Sequence, residues 1–290
     1  MGPSFGVNFC GRASIQILPE PRLPFHGLNS QKTYFIRNLS YSLMAGQVSK
    51  RLMADIAELQ QPLYSDSGIF YIPKESNTFE GVACVFGPAD SPYEDCPMLY
   101  RFELPKTFPF DSPKVTFHTH DGRTRFHPNM YVDGKCCLSI LGTWSGPPWA
   151  STMRISTILV TLQSLMDNDP LRHEPGYAVG TRDDVCRMYK CAVEVACMRY
   201  CLERVTELQE GRPLPVPLQP FQSQFIARIP GMLERFAKRL EARIQEGDKN
   251  YSGVPYGMSV QTKYADMLAQ VKLNRTKNLE ASRTNQDVAS

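Results

Sequence analysis

The chain has 290 residues, 42% of them hydrophobic and 21% charged, with a formal net charge of +3. That length allows one large domain, or a domain of about 150 residues with a substantial extension, and so small a charge excludes the strongly basic balance of a nucleic-acid binder. No stretch approaches the roughly 18 uncharged apolar residues of a membrane span, and the N-terminus lacks the basic-then-apolar start of a secretion signal. Nine irregularly spaced cysteines fit a reducing compartment better than a disulfide framework. The expected location is the cytoplasm, with the nucleus also open to the chain, and the sequons at Asn38, Asn250 and Asn274 are expected to stay unmodified.

Residues 1–45 hold Pro19, Pro21 and Pro24 close together with no sustained period, and read as an extension that is poorly ordered or lies on a neighbour. From Val48 to Gln60, Leu52, Ile56 and Leu59 share one helical face. Strand-like alternation follows: Val82, Cys84 and Phe86, then Met98, Tyr100, Phe102 and Leu104, then Val115 and Phe117. Turn-rich segments separate these runs at hairpin spacing, which predicts an antiparallel meander with one face covered. Ile155, Ile158, Leu159, Leu162, Leu165 and Met166 repeat at three and four residues, so the segment 151–168 is the predicted covering helix. Beyond Pro175-Gly176 a helix is expected over 182–208. A proline-rich breaker comes next, then two more helical patterns, one with the stripe Leu233, Phe236, Leu240 and Ile244 and one beginning at Val260.

Between the meander and the covering helix lies a long irregular stretch, "FHPNMYVDGKCCLSILGTW", with two adjacent cysteines, Cys136 and Cys137. Four chemistries use a cysteine there: a structural thiol, a metal ligand, a hydrolase nucleophile or a thioester carrier. His118, His120, His127, Cys136 and Cys137 supply metal-binding atoms but no C-x-x-C pair. A hydrolase needs a mobile histidine base, whereas His127 stands between an aromatic and a proline, a setting for a turn. Thioester carriage asks least. Its leaving thiolate needs no acid, and the attacking amine needs orientation, partial desolvation and a donor for the developing oxyanion, which an asparagine amide supplies. Adjacent residues in extended chain face opposite ways, so only one of the two thiols can meet an incoming thioester. A disulfide between them would silence the site, at a cost in strain. Cys186, Cys191, Cys197 and Cys201, on the next predicted helix, read as buried small hydrophobes.

"HPNMYVDGKCCLSIL" resembles the active-site signature of the ubiquitin-conjugating enzymes: His-Pro-Asn, a variable turn with Gly, a cysteine eight residues after the asparagine, then Leu-x-Ile-Leu. "GPADSPYED" and "FPFDSPKVTF" resemble two further motifs of that family, and "CLSILGTWSGPPW" with "SLMDNDPLRHEPGY" is similar to its Z subgroup and, less closely, to the giant inhibitor-of-apoptosis fusion proteins. The resemblance implies an α+β fold: a four-stranded antiparallel meander, an N-terminal helix, a central crossing helix and a C-terminal helical extension. The expected division is 1–45 extension, 46–178 conjugating core and 179–290 helical extension.

The resemblance further implies that Cys137 accepts ubiquitin or a related modifier from an activating enzyme and passes it to a lysine or a ligase. Asn129 would assist aminolysis, His127 and Pro128 would shape the turn, and Cys136 would pack. No metal or organic cofactor is expected, ATP being used by the upstream enzyme, and neither nucleic acid nor membrane is an expected partner. Lys50 and Arg51 on the first helix, with Phe110 and Pro113 on the proline-rich loop, are the expected partner contacts. Trp144 and Trp149 read as core residues more readily than as site residues.

Departures from the family pattern are specific. Ser139 stands where many relatives have aspartate, the gate position falls on His173 or Glu174, and Trp149 is followed by Ala150, Ser151 and Thr152 rather than Ser-Pro-Ala. Tyr131, Trp144 or Tyr177 would then desolvate an incoming lysine and favour its neutral form. The alternative from another class is a non-catalytic scaffold or binding module of the ubiquitin pathway with a vestigial site.

Overall fold

Leu52, Ile56 and Leu59 are buried along one side of helix α1 (Lys50–Leu59), as their spacing requires. The same side buries a charge: Asp55 takes the Arg51 guanidinium at 2.8 Å and the backbone N–H of Ile155 at 3.3 Å. Ile155 opens the central helix, α3 (Ile155–Ser164), so a carboxylate held at a helix N-terminus ties the two helices together. A short α2 (Pro62–Asp66) lies between α1 and the sheet. The computed structural model describes residues 50–287, with side chains through Glu280. The extension expected at 1–45 lies outside them.

The sheet is an antiparallel meander in the order β1 (Ile69–Lys74), β2 (Asn77–Phe86), β3 (Pro97–Glu103), β4 (Lys114–Phe117). Ala83 pairs with Tyr71 and Tyr100, while Cys84 pairs with Phe70 and Leu99. Alternation therefore sends Tyr71, Ala83, Tyr100 and Phe102 to the inner face, toward α1 and α3, and Phe70, Cys84, Phe86 and Leu99 to the outer one.

That outer face is not left to water: Cys84, Phe86 and Leu99 are buried. Their cover comes from the C-terminal part of the chain, α4 (Asp183–Gln209) and α5 (Gln222–Gln245). Arg228 of α5 lies 4.2 Å above the Phe86 ring, and the Cys201 thiol of α4 reaches the Asp95 carbonyl at 3.9 Å. Farther along α5, Arg235 and Arg239 grip Glu94 and Asp95 in the β2–β3 turn, while Glu194 of α4 binds Arg239 and Arg243. The described residues accordingly belong to one compact unit.

One expectation fails here. The pattern from Val260 onward reads as helix, but Met258–Gln261 is strand β6, paired with β5 (Asn250–Val254) in a hairpin whose turn is Pro255–Gly257. Met258 and Val260 are buried while Ser259 and Gln261 are exposed, a period of two. Helix α6 starts only at Tyr264, whose N–H donates to Asp248 at 2.8 Å, and continues to Asp287.

Candidate active site

From β4 the chain runs without long regular elements to α3, and internal hydrogen bonds hold this stretch in place. Asp121 accepts the N–H groups of Arg123 and Thr124 at 3.0 and 2.7 Å, and Tyr93 donates to the Phe126 carbonyl at 2.7 Å. His127 is fully buried, and its Nδ1 accepts the Asn129 N–H at 3.0 Å. Burial, helped by the neighbouring His173 and Arg125, depresses its pKa to about 3 against a smaller opposing pull from the Leu165 carbonyl. A neutral imidazole whose Nδ1 is spent on the turn is an organiser of the Pro128–Asn129 step, with no lone pair there to serve as a base.

Cys137 follows in a framework that saturates the peptide groups around it. Its N–H donates to the Asn129 carbonyl at 2.8 Å, and the Asn129 side-chain amide donates to its carbonyl at 2.6 Å. On the flanks, the Thr143 hydroxyl donates to the Cys136 carbonyl at 2.6 Å and accepts the Leu138 N–H at 2.9 Å. All four backbone groups are fixed, while no hydrogen bond holds the Cys137 sulfur among the described residues. The residue is only 2% exposed. Thr143, in the Gly-Thr-Trp segment, is a positioning residue that the sequence reading gave no role; its one signal is that a threonine hydroxyl in a turn readily bonds nearby backbone.

Cys136 faces elsewhere. It lines a cavity of about 460 Å³ with Pro113, Val115, Thr116, Leu141 and Thr143, a lining that excludes Cys137. Burial foremost, with the adjacent Cys137 second, pushes its thiol up to about 12, so it stays protonated and unreactive at neutral pH. Both thiols are free. Among the described residues no three His, Cys, Asp or Glu side chains converge as a metal site.

The remaining expected site residues scatter. Ser139 is half-buried in a 3-10 turn (Ser139–Leu141) beside Gly146. Tyr131 lies flat against Arg125, whose guanidinium carbon is 3.4 Å from the ring centroid. His173 binds Asp167 at 2.9 Å and its ring lies 5.1 Å from that of His127, whereas Glu174 accepts the Tyr256 hydroxyl at 2.8 Å. Tyr177 packs under Arg182. Trp144 is exposed, not core, because its loop projects from the fold, and Trp149 is half-buried with its indole N–H donating to the Pro109 carbonyl at 2.7 Å.

Among the expected partner contacts, Lys50 is exposed and Phe110 is 78% exposed. Two depart from expectation. Arg51 is turned inward, bonded to Asp55 and to the carbonyls of Ser151 and Met153, because the turn that leads into α3 presents those carbonyls to it. Pro113 is buried as a wall of the Cys136 cavity.

Comparison with known proteins was made on this geometry. Residues 51–194 match the family model described as ubiquitin-conjugating enzyme. Ubiquitin-conjugating enzyme E2 Z of Homo sapiens is 35% identical over 179 residues, 60% of this chain and 49% of its own length. The dual E2 ubiquitin-conjugating enzyme/E3 ubiquitin-protein ligase BIRC6 of Homo sapiens is 38% identical over 122 residues, 40% of this chain and 2% of its own. The chain thus spans about half the length of the E2 Z relatives it matches. Among solved structures, the E2 domain of a Toxoplasma gondii ubiquitin conjugating enzyme is 22% identical, with a TM-score of 0.40 over 51% of this chain and 95% of that one.

Proposed function

This chain belongs to the ubiquitin-conjugating enzyme family through residues 51–194, and from that premise we propose that Cys137 carries ubiquitin or a related modifier as a thioester. In the first step the Cys137 thiolate attacks the thioester carbonyl carbon at the modifier's C-terminus. The new C–S bond forms, the bond to the activating enzyme's cysteine breaks, and that cysteine leaves as a thiolate. In the second step a lysine amine attacks the same carbon. The C–N bond forms, Cys137 leaves as a thiolate and the amine gives up a proton to solvent.

The observation that carries this reading is the pairing of Asn129 and Cys137, locked backbone to backbone and amide to carbonyl. An amide nitrogen has two hydrogens. The Cys137 carbonyl takes one, which leaves the other to donate to an oxyanion forming beside the sulfur. A base is not required of the protein, since the leaving group is a thiolate, and His127 is spent on the turn. The exposed Lys50 supports contact of α1 with an activating enzyme, and the exposed Phe110 supports contact with a ligase.

Incubation with ubiquitin, ATP and an activating enzyme, followed by non-reducing gels, tests this. Wild type and Cys136→Ala are expected to form a thiol-sensitive adduct, and Cys137→Ala none. The 2% exposure of Cys137 favours a second reading, a scaffold with a vestigial site. No adduct with any activating enzyme or modifier puts that reading first.

A further inference from the structure

Resting on the reading that Cys137 carries a thioester, we infer that the C-terminal hairpin is a working part of the transfer site. Tyr256, at its tip, is the positioning residue, acting on Glu174 directly and on the turn bearing Asn129 through Arg125.

Arg125 is the hub. Its guanidinium lies between two aromatic faces, 3.4 Å from the Tyr131 centroid and 4.4 Å from that of Tyr256, and it donates to the Pro128 carbonyl, one peptide before Asn129. A planar cation between two rings is fixed in orientation as well as attracted, so its hydrogen bond to Pro128 is aimed rather than merely available. The backbone of Arg125 is held from the same side. Its N–H points to the Met258 sulfur at 3.2 Å, across 133 residues of sequence, and its carbonyl accepts the Tyr189 hydroxyl at 2.7 Å. The His-Pro-Asn turn is therefore buttressed by the hairpin and by α4.

Tyr256 also reaches the other wall. Its hydroxyl donates to Glu174 at 2.8 Å. Glu174 directly follows His173, whose ring packs 5.1 Å from that of His127, so one side chain touches both Arg125 and the residue next to His173. A residue wanted only as packing would be buried in a relaxed backbone. Tyr256 instead keeps 38% of its surface exposed and sits at φ +65°, a conformation costly for an aromatic residue that persists only where the surroundings over-determine it.

The test begins from isolated ubiquitin thioesters, so each variant reports its own transfer step. Wild type, Tyr256→Phe, Tyr256→Ala, Glu174→Gln and the Tyr256→Phe/Glu174→Gln pair are chased with free lysine over a range of concentrations, with melting temperatures recorded alongside. Tyr256→Phe, which keeps the ring against Arg125, is expected to slow maximal discharge by about threefold to tenfold, the weight of one hydrogen bond. Tyr256→Ala is expected to slow it further. The signature of positioning is non-additivity: Glu174→Gln slows wild type but adds nothing to Tyr256→Phe. Discharge by both Tyr256 variants within about twofold of wild type overturns the inference. So does an additive Glu174→Gln effect, which leaves Tyr256 only structural. A wild-type protein that takes no thioester overturns the underlying reading instead, and the inference with it.

Discussion

The two faces of the sheet are covered by different chemistry. On the inner face Tyr71, Tyr100 and Phe102 of the sheet, Leu52 of α1 and Ile158, Leu159 and Leu162 of α3 are all buried, an apolar layer with Asp55 as its buried charge. On the outer face the cover brings thiols and arginines: Cys201 of α4, and Arg228, Arg235 and Arg239 of α5 against Phe86, Glu94 and Asp95. The inner face is held by area removed from water, which is non-directional and leaves a periodic trace in the sequence. The outer cover also buries apolar residues, Phe225, Leu233 and Phe236 of α5 among them, but adds specific pairs distant along the chain, so it fixes where the extension sits and, through the hairpin, what stands beside the site.

The strongest way to break the contrast is to remove the outer cover. Truncation after Gln209 deletes α5, the hairpin and α6, and is expected to abolish cooperative melting, because Phe86, Glu94 and Asp95 lose their cover together. A truncated chain melting within a few degrees of the full one would show the extension to be an appendage. Next in size, Leu159→Ala on the inner face should cost about 2–5 kcal/mol by chemical denaturation, a penalty insensitive to salt. Glu94→Gln on the outer face should cost about 1–3 kcal/mol, below the range for fully buried pairs because Arg235 is 45% exposed. That penalty should shrink as salt rises, since screening weakens the pairs that it breaks.

Acid sharpens the contrast further. Unfolded His127 takes a proton near 6.5, but the folded residue does so only near about 3. Between those values the unfolded chain binds more protons. This contribution is therefore whole above 6.5 and is lost as pH falls toward 3. His127→Asn, which keeps an acceptor near Nδ1, should flatten the acid limb of stability, by about 1 kcal/mol at pH 6. Smallest of all, Phe110→Ala should change stability by no more than about 0.5 kcal/mol, since the ring lies in solvent, while weakening capture by a ligase in a pull-down.

Much of the core was legible in the sequence because its signals are local. Val82, Cys84 and Phe86 alternate over neighbouring residues, Ile155 to Met166 repeat within three turns, and the spacing from Asn129 to Cys137 lies in one loop. The β5–β6 hairpin was not legible. Its strands have five and four residues, and the second runs straight into a helical pattern. Arg125, Thr143 and Tyr256 carried no periodic signal either, and for Arg125 and Tyr256 the contacts exist only once the fold joins them. The contacts of Arg51 were not legible either, because the carbonyls of Ser151 and Met153 come beside it from far along the chain. Trp144 was misread because an indole in a loop has the composition of core without its burial.

The central claim is that Cys137, and not its neighbour, accepts the modifier. Cys137→Ser tests it most directly, because a serine hydroxyl in that position traps the same acyl group as an oxyester. The account predicts an adduct that survives thiol reductant, is cleaved by alkali, and maps to residue 137 by peptide mass spectrometry. A thiol-sensitive adduct persisting in Cys137→Ser, mapped to Cys136 or any other cysteine, would contradict it.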